Sequence, residues 1–201
     1  MEETQELRTI TLQPGDNFVG WVDESITLDE LLAQLPGIER VSTWVAVEQR
    51  EIVAVMQENG TWSGPLQTLK PGSAYVIRLG GTLPVEWTRP IVPVAGLIEL
   101  RTGENWAAWL GPDGWTIADV AKGIGAFLSE IRLGDHVYDP SDPETANARQ
   151  TVSRGDPLVV TVRRGVNWLQ PTYVLPKLIF AGSVHQETRN DAKRDLADMS
   201  A

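Results

Sequence analysis

LQPGDNFVGW (residues 12–21) returns in altered form as LRTGENWAAW (residues 100–109), and both follow the pattern L-x-x-G-[DE]-N-[FW]-x-x-W. In each copy the glycine, Gly15 or Gly103, supplies a turn before a strand, one that can call for positive φ. The amide of Asn17 or Asn105 can bond the turn backbone. Trp21 and Trp109 then anchor the strand to a core, since a tryptophan buries about 150–250 Å2.

The match continues downstream. TLDELLAQL (27–35) and TIADVAKGI (116–124) each begin with a threonine followed three residues later by an acid, Glu30 or Asp119. That is the spacing of a capping box at a helix start. Leu28, Leu31, Leu32 and Leu35 form one apolar helical stripe, and Ile117, Val120, Ala121 and Ile124 form its counterpart. LKPGSAYVIRL (69–79) then parallels VSRGDPLVVTV (152–162), and the copies exit on WTRP (87–90) and WLQP (168–171).

Between helix and last strand the copies diverge. VSTWVAVEQREIVAVMQENGTW (41–62) reads as two strands turning around Gln49–Arg50, with Asn59-Gly60 as a further turn. IRLGDHVYDPSDPETANARQ (131–150) is the shorter equivalent, rich in Pro, Asp and Glu.

The expected architecture is therefore α+β and mainly β. It is a tandem duplication of a strand–helix–strand–strand–strand unit, with one short helix per unit and a pseudo-two-fold arrangement that shares the burial one small unit cannot achieve. The expected divisions are a first unit at 1–90, a second at 91–172, and a tail at 173–201. TRPIVPVAGL (88–97) reads as a stiff joint. In the tail, YVLPKLIFAG (173–182) reads as a strand and 185–201 as a charged helix that leads into a neighbouring domain or docks elsewhere.

Composition bounds the partners. A net charge of −10 over 201 residues argues against nucleic acid, which demands a basic face. No apolar run reaches the ~18–20 residues of a membrane helix, so membrane insertion is not expected. The chain has no cysteine, which excludes disulfides and thiolate chemistry. MEETQELRTI lacks the basic and apolar segments of a secretory signal. The chain is thus cytoplasmic if Met1 is a native start, and extracellular or of the cell envelope if it belongs to a longer exported protein.

Chemistry-bearing candidates are few. Of the two histidines, His136 falls in the variable hairpin and His185 in the tail; no metalloprotease pair or phosphate loop occurs, a Ser–His–Asp triad would have to use one of these two, and a surface histidine is the expected reading of both. Within DHVYDPSDPE (135–144), Asp139, Asp142 and Glu144, with Asp135 nearby, could supply oxygen ligands to Ca2+; a solvated turn is the competing reading, and otherwise no cofactor is expected. Trp44, Trp62 and Trp115 lie near strand turns and are the candidates for ligand stacking, against a role as sheet cover. Asn59-Gly60-Thr61 matches a glycosylation sequon but is read as a hairpin turn.

The units resemble a repeat of large multidomain exported proteins of bacteria. In those proteins a G-x-N-x-[VI]-x-W strand, a short helix, a Trp/Tyr-rich hairpin and an L-x-x-G-x-x-[YLF]-x-[VI] strand recur in tandem. The resemblance covers residues 10–171, and departs at Ala107 and Ala108 and at the second hairpin, which lacks tryptophan. It implies an accessory or adhesive module without activity of its own. The expected function is a non-enzymatic structural or interaction module, or spacer, contacting a protein or a cell-envelope polymer. Self-association is allowed at sheet edges and at the tail helix. A carbohydrate-binding module using Trp44, Trp62 and Trp115 is the alternative, and a hydrolase built on acidic residues ranks third.

Overall fold

A computed structural model describes residues 7–90, 96–143 and 146–171. The protein is mostly β, with few helices. In the first half an antiparallel sheet has the order Gly15–Gly20, Ala74–Leu79, Ile38–Val45, Arg50–Met56, Trp62–Ser63. In the second half the order is Gly103–Ala108, Pro157–Val162, Leu128–Leu133, His136–Tyr138. Both sheets shift register at the same place, between Ile38 and Arg40 and between Leu128 and Glu130.

Four two-stranded ribbons complete the described sheets: Leu7–Leu12 pairs antiparallel with Val85–Pro90 and Leu97–Leu100 with Val166–Leu169, and two short ones join Ile26–Thr27 to Thr68–Leu69 and Trp115–Thr116 to Thr151–Val152. The first two ribbons differ from the sequence expectation. The first strand of each half was not foreseen, and Thr88–Pro90 belongs to a strand instead of a joint. Pro90 is tolerated because it closes the strand, opposite Leu7, where a missing N–H costs the ladder little. The 173–182 strand and the 185–201 helix expected from sequence lie outside the described residues.

The turn motif behaves as its residues dictate. Gly15 and Gly103 adopt φ of 90° and 93°, the left-handed region where a Cβ would be strained. Asn17 Nδ2 donates to the carbonyls of Gln13, Gly15 and Ile77, and its Oδ1 accepts from Gln13 N. Asn105 repeats the set with Arg101, Gly103 and Val160. Each asparagine thus closes the turn and ties it to the neighbouring strand.

Helix Leu28–Gln34 starts with a complete capping box between Thr27 and Glu30. Helix Ile117–Lys122 is capped by the Thr116 hydroxyl, which accepts from Asp119 N. Asp119, one methylene shorter than glutamate, turns its carboxylate to the Thr116 hydroxyl and Lys122.

Each half has its own core: Trp21, Leu31, Ile77 and Trp87 are at the centre of one, and Trp109, Ile117, Val160 and Trp168 of the other. Burying each of these four tryptophans contributes roughly 4–6 kcal/mol of transfer free energy as an upper bound.

The halves also meet directly. Gly20 N donates to Gly155 O at 3.1 Å and Ala108 N to Gly72 O at 2.9 Å. Trp21 N donates to Ser73 O and accepts at its carbonyl from Gly72 N; Trp109 makes the corresponding pair with Asp156 and Gly155. A Cβ on Gly20 would lie 2.6 Å from Gly155 O, so the close approach requires glycine. Phe18 packs edge-on against Trp106 (5.1 Å) and Trp44 stacks on it (6.0 Å, 24°). At the tip of the first hairpin, Gln49 holds both backbone groups of Glu104.

Candidate functional site: a tryptophan-lined cleft

Matched positions in the two halves build two clefts of unequal content. In the first, strand Val85–Pro90 brings Trp87 against Trp21 (5.8 Å between centroids). The next-but-one residue, Arg89, lays its guanidinium 5.0 Å from the Trp21 ring and 4.4 Å from the Trp87 ring. Arg89 Nη1 stands 2.9 Å from Asp23 Oδ2, and both side chains are nearly buried. Burial pushes the Asp23 carboxyl above its ordinary range, against the opposing pull of Arg89 and Arg154. Burial likewise lowers Arg89, against the pull of Asp23. What remains beside Arg89 is about 240 Å3, bordered by Trp21, Ile26, Gln34 and Pro90.

In the second half the corresponding cleft measures about 830 Å3. Trp109 and Trp168 lie beneath it, 6.2 Å apart and fully buried, and Trp115, 5.7 Å from Trp109, is the ring of the three that it exposes. Three positions set it apart from the first. Gln170 stands where WTRP has Arg89, and its amide is spent on Leu110 N and Ala108 O. Gly123 stands where the first helix has Gln34, and a Cβ there would come 3.1 Å from Trp168 Nε1. Trp115 replaces Ile26 and is 36% exposed.

Leu169, on the adjoining ribbon, lines the cleft. Leu97 and Leu169 face each other across that ribbon, 60% and 71% exposed. Thr9 and Thr88 hold the matching positions of the first half and bond hydroxyl to hydroxyl at 2.7 Å. Asp119 and Lys122 form the polar rim at 2.7 Å. The Lys122 ammonium and the Thr116 hydroxyl hold the Asp119 carboxyl below its ordinary range, and Lys122 is raised in return.

The residues singled out from sequence fall in separate settings. Of the ligand-stacking candidates, Trp115 alone lines this cleft. Trp44 is half-buried in the stack on Trp106 between the halves. Trp62 is half-buried against the first core, in strand register with Met56. Asp139 accepts from Ser141 N and Oγ, which lowers its pKa, and its carbonyl receives Asp142 N. This is a self-satisfied turn; Glu144 lies outside the described residues. Among the described residues no group of three His, Asp or Glu is placed to hold a metal. His136 is exposed, its Nδ1 3.3 Å from Asn147 Oδ1, and His185 lies outside the described residues.

Trp168, Gln170 and Leu169 were not foreseen as site residues. Their signal was the difference between WTRP and WLQP, two exits matched in sequence but carrying an arginine in one and a glutamine in the other. No protein-family model, curated protein or solved structure matches this chain.

Proposed function

We propose that this chain is a non-enzymatic structural and interaction module. It is built by tandem duplication of an α+β unit, and its recognition element is the cleft of Trp109, Trp115 and Trp168. The duplication reading (first unit 1–90, second 91–172) is supported by the matched bonds of Asn17 and Asn105 and by the matched register shifts. A pseudo-two-fold arrangement is supported by the reciprocal bonds Gly20–Gly155 and Ala108–Gly72. The resemblance of the repeated motif supports an exported, cell-envelope setting, with a cytoplasmic one as the alternative.

One observation carries the functional reading. The second cleft is the larger, it exposes the Trp115 ring beside the buried Trp109 and Trp168, and exposed Leu169, paired across the ribbon with Leu97, lines it, whereas the first cleft holds its own arginine. An apolar concavity with a small polar rim is the usual form of a binding site. The carboxylates raised by burial have other work: nearly buried Asp23 pairs with Arg89, and half-buried Asp156 accepts from Ser153 N beside the contact between the halves. That use supports a binding module over a hydrolase.

The exposed Trp115 ring favours one alternative, stacking on a pyranose. A carbohydrate site would then rest on Trp115 and the cleft, since Trp44 and Trp62 are engaged in packing. The test is retention of the full chain on immobilised basic peptides, peptidoglycan, chitin and cellulose, with Trp115→Leu and Trp62→Ala compared. Retention lost in Trp115→Leu and kept in Trp62→Ala supports the cleft as the recognition element. Retention indifferent to Trp115→Leu removes it.

A further inference from the structure

The first half displays, inside the same molecule, what this kind of cleft accepts. Its matched tryptophans, Trp21 and Trp87, are covered by the guanidinium of Arg89, with a carboxylate at 2.9 Å as counter-ion. Tryptophan is the strongest of the aromatic partners for a cation, through the negative face of its ring. In the second half glutamine replaces that arginine, and the glutamine amide turns away to backbone groups of Leu110 and Ala108. The two matched tryptophans remain but are fully buried, an exposed third ring, Trp115, stands beside them, and the volume is about 830 Å3 against about 240 Å3.

Resting on the reading of the cleft as a recognition element, we propose that it takes an arginine or lysine side chain from a partner protein, flanked by an apolar residue. The cation stacks on Trp115, and Asp119 stands at the rim as counter-ion, where it holds Lys122 at 2.7 Å. An incoming guanidinium displaces that ammonium, which is well exposed and free to swing into solvent. The neighbouring apolar residue of the partner covers Leu97 and Leu169. The net charge of −10 favours encounter with a basic segment and makes association salt-dependent. The first half is closed to such a guest because Arg89 already fills it.

The test uses the full chain and three soluble probes followed by the tryptophan indole N–H resonances: acetyl-Leu-Arg-Leu-amide, its citrulline isostere, and a chitin tetrasaccharide. Trp115 is assigned from Trp115→Leu. The arginine peptide should shift the Trp115 resonance saturably. Citrulline, which keeps the shape and loses the charge, should bind about tenfold more weakly, the size of a single partly desolvated cation–π contact. Gln170→Arg supplies the second half with its own guanidinium and should abolish the shift. Because Gln170 is buried and that variant can misfold, Trp115→Leu, altered at a part-exposed position, serves as the second variant; there the Trp109 and Trp168 indole resonances report binding, and the preference for arginine over citrulline should be lost. Equal binding of the arginine and citrulline peptides overturns the cation proposal while leaving the cleft as a recognition element. A Trp115 shift with the tetrasaccharide alone overturns it in favour of the carbohydrate reading. A Trp115 resonance unmoved by all three overturns both the proposal and the cleft itself.

Discussion

Replacing Asn105 with alanine should destabilise the protein more than removing any other polar side chain of the repeated motif. Asn105 is 5% exposed and makes four bonds: Arg101 N to Oδ1 at 2.8 Å, and Nδ2 to the carbonyls of Arg101 (2.8 Å), Gly103 (2.9 Å) and Val160 (3.2 Å). Two or three of these are well formed, and at about 1 kcal/mol net each they contribute about 2–3 kcal/mol. Alanine also leaves Arg101 N without its acceptor, adding about 1 kcal/mol. The expected loss is thus about 3–4 kcal/mol. In urea, with a slope of about 3 kcal/mol/M, the midpoint measured by circular dichroism should fall by about 1 M. Asn17→Ala removes the same pattern at a half-buried turn, where water replaces part of it, so about 1–2 kcal/mol is expected. Asn105→Asp keeps the acceptor but points a carboxylate at three carbonyls. It should be worse than alanine at neutral pH and recover part of the difference as acid protonates it. An Asn105→Ala variant within about 0.5 kcal/mol of the parent, or an aspartate variant as stable as the parent, would refute this account of the motif.

Gly20→Ala puts a methyl 2.6 Å from Gly155 O and 2.9 Å from Ala108 Cβ; about 1–3 kcal/mol should be lost, and hydrogen exchange should accelerate at Gly20 and Ala108, where the halves meet. Arg89→Met removes one partner of a nearly buried pair and strands Asp23, for about 3–5 kcal/mol. The double variant Arg89→Met/Asp23→Leu should regain much of that loss, and thermal unfolding of the two variants checks the order. Thr27→Ala removes a helix cap and should cost about 1 kcal/mol. Bonds from the Thr27 backbone and hydroxyl lower the pKa of Glu30 from 4.5. That contribution is present above 4.5 and is lost as pH falls through the lowered value, so Glu30→Gln should flatten the acid limb of the stability curve.

Local chemistry was legible in the sequence and non-local pairing was not. Gly15 and Gly103, the amides of Asn17 and Asn105, and the caps at Thr27 and Thr116 act within a few residues of themselves, and spacing alone identifies them. Trp21 and Trp109 were legible as core because no turn or cap explains a tryptophan there. The ribbon Leu7–Leu12 with Val85–Pro90 joins segments far apart in the chain, and a proline near its end imitated a linker. The cleft was half visible. WTRP and WLQP could be aligned by eye, but the arginine-to-glutamine exchange gains meaning only when Arg89 is seen lying over Trp21, far from it in sequence. Trp44 and Trp62 had the composition of ligand-stacking residues, yet the folded chain packs each against its own hydrophobic surfaces.

Selection from a random peptide array with the labelled full chain, run in parallel with Trp115→Leu, tests the central claim most directly. The account predicts that the bound peptides pair an arginine or lysine with an adjacent apolar residue, and that Trp115→Leu loses this set. Enrichment of acidic peptides, or an unchanged set in the variant, would contradict it.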